Sequence, residues 1–243
     1  MNIVMPMAGR GSRFNGSNYS APKPLINVMD KPMFIHSLQS IKNVEFDQLI
    51  IVALSEHDKN FNLKKLIDQY LTDVPVELVL IDEVTEGQLC TILKARYLFD
   101  LKKPILITSS DTIVISDIAS DIKNLSNDIS GLISVADMPG EQWSFAKTDE
   151  QGIVIEVTEK VKISDNASTG LYYFSHAGEF LTHADELIEK RERTKGEFYV
   201  MPVYKNYIKN QKKIKLSNAT KMWDMGTPDA LAEFLLINDK QNL

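Results

Sequence analysis

An α/β protein with a mostly parallel sheet covered on both faces is what this sequence predicts, and three observations predict it. The runs Leu-Ile-Ile-Val-Ala-Leu (49–54) and Pro-Ile-Leu-Ile-Thr (104–108) are almost continuously apolar, as strands buried on both faces require. Helical stretches separate such runs, which gives β-α-β alternation with right-handed crossovers. The first run ends in a small-residue loop, Ala8-Gly9-Arg10-Gly11-Ser12-Arg13, at the edge where ligands of open α/β sheets bind.

Element by element, strands are expected at 2–6, 49–54, 76–81, 104–108 and 133–136, with helices at 32–41, 59–70, 88–99 and 117–127. The character changes after about residue 140. Strands at 143–148 and 153–158 flank the turn Asp149-Glu150-Gln151-Gly152, and 170–175 reads as a third. A charged helix at 177–193 follows, and its run 189–195 reads as a solvated helix face with i,i+4 pairs. A lysine-rich strand at 212–216 precedes the turn Trp223-Asp224-Met225-Gly226-Thr227-Pro228. The last helix then starts with Thr227 as N-cap and Pro228 as its first residue. With no repeat and no long linker, 1–243 reads as one domain. Its second half, about 141–243, would place an antiparallel lobe over the sheet edge formed by the first, about 1–140.

Charge narrows the ligand. Residues 1–32 carry Arg10, Arg13, Lys23 and Lys31 against Asp30 alone, a local +3 in a chain of net charge −6. A small basic site on an acidic protein suits a small polyanion and argues against nucleic acid. The N-terminal apolar run is too short for a signal peptide or membrane span, so no membrane partner and a cytoplasmic location are expected. The single cysteine, Cys90, excludes a disulfide framework or a multi-cysteine zinc site, and it reads as a packed small residue. His36, His57, His176 and His183 lack metal-ligand spacing.

The loop after the first strand offers backbone N–H groups that small residues leave accessible, which is how a chain cradles phosphate. It is not a dinucleotide fingerprint, because Phe14 stands where the third glycine belongs, and no G-K-[ST] marks a P-loop. Prolines on both sides of Lys23 fix its backbone, which suits aiming the ammonium inward. Asp111 follows the strand 104–108, and Asp224 sits in the Trp-Asp-Met-Gly-Thr-Pro turn. Two such carboxylates can share one Mg²⁺, although either alone also reads as a turn residue. Glu159-Lys160 closes a strand and also reads as a surface pair, while Thr85-Glu86-Gly87-Gln88 reads equally as a base contact or a helix cap.

Taken together, these pieces resemble the nucleoside-diphosphate-sugar pyrophosphorylases, the sugar-phosphate nucleotidylyltransferases, over nearly the whole chain. Ala8-Gly9-Arg10-Gly11-Ser12-Arg13-Phe14 with Pro22-Lys23-Pro24-Leu25 is similar to the family's A-G-G-x-G-T-R-L…P-K-P-L signature. Ser109-Ser110-Asp111 stands for its G-D metal motif, and Glu159-Lys160 with Thr169-Gly170-Leu171-Tyr172 for its E-K-P…T-G-x-Y stretch. Trp223-Asp224-Met225-Gly226-Thr227 resembles its W-x-D-x-G-T motif. The resemblance implies a Rossmann-like nucleotidyltransferase fold, an α/β/α sandwich with a small antiparallel acceptor-binding lobe. It also implies a Mg²⁺-dependent enzyme that joins a nucleoside triphosphate to a small phosphorylated acceptor and releases pyrophosphate.

Roles follow by motif position. Ala8, Gly9, Arg10, Gly11, Ser12 and Ser110 would hold the nucleotide, and Gly87 and Gln88 would face the base. Arg13 would take the β,γ-phosphates and Lys23 the α-phosphate. Glu159, Lys160, Thr169 and Gly170 would bind the acceptor, and Asp111 and Asp224 the Mg²⁺. Val161 departs from the pattern, where the family has proline. The T-x-G-Q element (85–88) and the short chain look more like bacterial capsule members. Among those, the CTP:phosphoglutamine cytidylyltransferases of capsular phosphoramidate synthesis are similar and imply CMP transfer to an amino-acid phosphoramidate. A sugar-1-phosphate nucleotidylyltransferase using UTP, dTTP or CTP, a catalytically idle nucleotide-binding subunit and a GT-A-type glycosyltransferase stay open. So does the oligomeric state, a homo-oligomer included.

Overall fold

In the computed structural model, which describes residues 1–239, the chain forms twelve strands and eight α-helices. The first half runs β1 (Asn2–Pro6), β2 (Asn27–Val28), β3 (Lys31–Pro32), α1 (Met33–Ser37), β4 (Gln48–Leu54), α2 (Ser55–Phe61), α3 (Leu63–Tyr70), β5 (Val76–Ile81), α4 (Gln88–Leu93), β6 (Ile105–Ile107), β7 (Thr112–Ser116), α5 (Ile118–Lys123) and β8 (Ile129–Asp137). The second adds β9 (Ser144–Thr148), β10 (Val154–Glu159), β11 (Asn166–Phe174), α6 (Ala177–Glu189), α7 (Val203–Lys209), β12 (Lys213–Asp224) and α8 (Pro228–Asp239).

The sheet runs β5-β4-β1-β6-β11-β8-β12-β7, and β9 with β10 forms an antiparallel arm off β11. β5, β4, β1 and β6 are parallel neighbours, as their continuous apolar sequences require. Apolar residues from α4, α6 and α7 pack on one face of the sheet; those from α1, α3 and α5 pack on the other. This is the α/β/α sandwich expected from the sequence.

β1 lies between β4 and β6, so the chain leaves it toward one side while the other is filled by a later strand. That is a topological switch point, and the crevice beyond such a strand is where open α/β sheets take ligands. A smaller apolar cluster lies beside it. Phe14, from the loop after β1, packs with Met225 and with Leu231 and Phe234 of α8. Burying Phe14 is worth roughly 1.5–3 kcal/mol, and it ties the N-terminal loop to the residue that follows Asp224.

Several elements differ from expectation, each for a local reason. The helix expected at 59–70 is two helices, because Asn62 adopts φ +53° between them. The helix expected at 177–193 stops at Glu189, and Arg191 and Lys195 both take positive φ. Residues 190–195 are therefore not a solvated helix face. Arg193 turns back to pair with Glu86 at 2.6 Å and lies 4.6 Å above the Phe198 ring. The strand at 212–216 extends to Asp224, so Trp223 and Asp224 belong to β12 and not to the turn after it. β7 and α7 were not expected at all. The small antiparallel lobe is the β9–β10 arm, while β11 pairs directly with β6 and β8 and so belongs to the main sheet. Thr169 and Gly170 thus lie within β11 instead of opening a strand. Thr227 does cap α8, accepting the Ala230 N–H at 3.2 Å.

Candidate active site

The two distant aspartates meet because β12 pairs antiparallel with β7. Asp224 is opposite Thr112, the residue after Asp111, and the Met225 N–H donates to the Asp111 carbonyl at 2.8 Å. A methyl group built on Gly226 would stand 2.8 Å from Asp224 Oδ1 and 3.3 Å from Asp111 Oδ2. Both carboxylates therefore flank one glycine. The outer edge of β7 is pinned by Ser40, whose Oγ accepts the Val114 N–H at 2.9 Å.

Lys23 completes this group. Pro22 leads into the short 3₁₀ turn Lys23–Leu25, and the lysine Nζ reaches Asp111 Oδ2 at 2.5 Å, with both side chains 19% exposed. Burial pushes the Asp111 carboxyl up, but the Lys23 ammonium, the Thr112 hydroxyl and the Arg13 charge together hold it below the usual carboxylate value. Asp224 goes the other way. Burial, and then the neighbouring Asp111 charge, push it up against the Gly226 N–H, which donates to Oδ1 at 2.8 Å. Two like charges brought together in a partly buried site favour a cation between them. The all-oxygen donor set suits a hard ion such as Mg²⁺, which takes one or two carboxylates and fills its shell with water and phosphate oxygens. Among the described residues no group of three or more His, Cys, Asp or Glu side chains is placed to hold a metal ion.

The loop Ala8–Arg13 lies beside this pair. Gly11 takes φ +59°, and a Cβ there would come within 3.2 Å of the Lys23 Cβ, so the loop and the lysine turn are packed backbone to side chain. Ala8 is buried, whereas Gly9, Arg10, Ser12 and Arg13 are exposed. The Arg13 charge acts on Asp111 and Asp224 and also on Lys160 and Tyr199. Ser110, the residue before Asp111, is buried. Ser109 faces Gly170, whose φ of +87° and 3.2 Å clearance to the Ser109 Cβ leave no room for a side chain.

Glu159 ends β10, Lys160 follows it, and the two meet different surroundings. Glu159 is 8% exposed and accepts from Ser144 Oγ at 2.5 Å; burial pushes its carboxyl up. Lys160 takes φ +59°, which redirects its side chain, and its Nζ lies 4.1 Å from the Tyr199 ring centroid. Burial pushes this ammonium down, against the carboxylates of Glu159 and Glu197. Thr169 is 1% exposed, and its hydroxyl donates to the Ser134 carbonyl at 3.4 Å, so its contact is with the sheet.

Gly87 takes φ +134°, and a Cβ there would meet Phe198 backbone atoms at 2.5 and 2.6 Å. The Phe198 N–H donates to Glu86, and the Phe198 carbonyl accepts the Leu89 N–H, so the strand-like segment around Phe198 clasps this turn. Gln88 opens α4, half-buried. Sequence reasoning missed Gly226, Glu197 and Tyr199. Gly226 was legible inside its motif as a position without room for a side chain. Glu197 and Tyr199 follow a charged run and carry no spacing signal.

The family model described as nucleotidyl transferase matches residues 2–240. A nucleoside-diphosphate-sugar pyrophosphorylase from Vibrio cholerae RC9 is 27% identical with a TM-score of 0.82, covering 96% of this chain and 99% of that one. A UDP-glucose pyrophosphorylase complexed with UDP-glucose shares the fold at 16% identity, with a TM-score of 0.78 over 99% of this chain and 98% of its own. The mannose-1-phosphate guanylyltransferase 1 of Arabidopsis thaliana is 22% identical over 71% of this chain and 49% of its own length. The bifunctional protein GlmU of Methanocaldococcus jannaschii is 23% identical over 100% of this chain and 55% of its own. The chain thus spans about half the length of these two relatives. No helix among the described residues is long and apolar enough to cross a membrane.

Proposed function

The chain belongs to the nucleotidyl transferase family, and from that premise we propose that it transfers a nucleotidyl group from a nucleoside triphosphate to a small phosphorylated acceptor, releasing pyrophosphate. The observation that carries this reading is the meeting of Lys23, Asp111 and Asp224 beside the loop after β1. The acceptor is already anionic at neutral pH, so no general base is required of the protein. Its task is to bring two mutually repelling anions into line and to stabilise the charge that spreads over the α-phosphoryl group and the leaving group.

Each residue then has a charge-based role. The loop 8–12 and Ser110 hold the triphosphate, Arg13 neutralises its outer phosphates, and Lys23 meets the α-phosphate. Lys160 receives the acceptor's phosphate, with Glu159 and Gly170 shaping the floor beside it. Gly87 and Gln88 face the base. Asp111 and Asp224 would hold Mg²⁺, which supplies fixed positive charge at the phosphate oxygens. The halves divide the labour, about 1–140 for the nucleotide and 141–243 for the acceptor, with Asp224 reaching across to the first.

Within this chemistry we read the donor as CTP and the acceptor as phosphoglutamine, in capsule modification, on the Thr85-Glu86-Gly87-Gln88 turn. The sugar-1-phosphate reading has comparable support, because the V. cholerae structure at 27% identity is named for nucleoside-diphosphate-sugar chemistry. The presence of Lys160 together with both carboxylates argues for catalysis over an idle nucleotide-binding subunit, and the missing first carboxylate at Ser109-Ser110-Asp111 argues against sugar transfer from a D-x-D site. Pyrophosphate release decides, measured with CTP, UTP, dTTP, ATP and GTP in turn, with Mg²⁺, against phosphoglutamine and a set of sugar-1-phosphates. Release with CTP and phosphoglutamine alone supports the first acceptor, and release with a sugar-1-phosphate alone the second. No release with any pair overturns the reading.

A further inference from the structure

Resting on that reading, we infer that Tyr199 is a positioning residue, a fixed post that holds the Lys160 ammonium toward an anionic acceptor group, with Glu197 fixing the post. Three observations carry it. First, the Lys160 backbone is immobilised at a left-handed φ of +59°, with its N–H donated to the Trp143 carbonyl at 2.9 Å. Only the side chain is left to aim. Second, that side chain ends at the hydroxyl edge of the Tyr199 ring, with Nζ 4.1 Å from the centroid, where its ammonium hydrogen-bonds the phenolic oxygen. An acceptor oxygen carried on a rigid ring restricts where a long lysine side chain can point. Third, Tyr199 is itself directed, since its hydroxyl donates to Glu197 Oε2 at 2.7 Å and so offers its lone pairs to Lys160.

The post stands on a rigid base. The neighbouring Phe198 is fully buried, and its backbone is bonded on both sides to the Gly87 turn. Arg193 spans the same segment, pairing with Glu86 and covering the Phe198 ring. Glu197 and Tyr199 therefore flank a residue that cannot shift without opening that turn. Glu159, Glu197, Lys195 and Arg13 are the other charges acting on Lys160, and Tyr199 is the aromatic group against it.

The test pairs kinetics with a readout that needs no turnover. Tyr199→Leu should raise the acceptor KM about tenfold, equivalent to about 1.4 kcal/mol, and leave kcat and the triphosphate KM near wild type; Tyr199→Phe should fall between. Reductive ¹³C-methylation gives Lys160 a resonance, identified by its loss in Lys160→Arg. Its chemical shift should differ between the wild type and Tyr199→Leu, and inorganic phosphate should move it in the wild type more than in Tyr199→Leu. A Lys160 resonance that is the same in the wild type and in Tyr199→Leu, or an unchanged acceptor KM in Tyr199→Leu, overturns the inference. If no triphosphate turns over, the transferase reading fails, while the phosphate titration still decides the role of Tyr199.

Discussion

Lys23 Nζ and Asp111 Oδ2 stand 2.5 Å apart although 88 residues separate them in the chain. The pair joins the loop after β1 to the two carboxylates, so on the proposed function removing the lysine would delete a phosphate contact and leave the partly buried Asp111 without its ammonium partner. Lys23→Ala should lower turnover by roughly 2.7–4 kcal/mol in the barrier, about 10²–10³-fold, by analogy with lost oxyanion donors. Pyrophosphate release, with circular dichroism to verify folding, checks this. Near wild-type turnover would remove Lys23 from the catalytic group.

Gly226 has no space for a side chain between the two carboxylates. Gly226→Ala should push Asp224 Oδ1 out of place and raise the Mg²⁺ concentration needed for half-maximal rate by roughly 10–100-fold, the range seen when groups supporting metal ligands are altered. A Mg²⁺ titration of the rate measures it. Chelation with EDTA should stop turnover, and added Mg²⁺ should restore it.

At Gly87 the same substitution acts on folding. A methyl group would press on the Phe198 backbone, and φ of +134° is poor for any L-residue. Gly87→Ala should cost about 1–3 kcal/mol, with Tm falling roughly 2–4 °C for each kcal/mol in a chain of this size. Calorimetry reads the shift. An unchanged Tm would mean that the Phe198 clasp gives way freely.

Glu159 supplies a pH dependence whose sign can be worked out. Burial raises its folded-state value above the ordinary 4.5, so the folded protein binds this proton more tightly than the unfolded chain. Its contribution to stability is complete below pH 4.5 and is lost as pH rises through the folded value. Glu159→Gln removes the ionisation. The stability of Glu159→Gln relative to wild type should therefore increase from pH 4 to pH 7. Parallel urea titrations at several pH values test it, and a stability of Glu159→Gln relative to wild type that falls with rising pH would contradict the assignment.

How much of this was legible in the sequence depended on the range of the interactions. β5 and α8 were readable because an apolar run and a capping threonine act within a few residues. The break at Asn62 was not, because asparagine only tolerates the left-handed conformation and tertiary packing selects it. β7 stayed hidden because Thr112–Ser116 becomes a strand by pairing with residues 219–224, which no local pattern announces. The same division holds in the candidate site. Arg13, Lys23 and the two aspartates were nameable from motif positions, yet that Asp111 and Asp224 share one glycine, and that Lys160 rests on Tyr199, are facts of packing.

The antiparallel pairing of β7 with β12 has a consequence for the timing of biosynthesis. A chain made from its N-terminus exposes Asp111 while more than a hundred residues, Asp224 among them, have yet to be added. Until β12 is laid down, the nascent polypeptide has the loop after β1 but one carboxylate of the pair, and on the proposed function it should hold nucleotide only weakly on the ribosome. Chemical competence would then arrive as a late event of synthesis, with the closing of one strand.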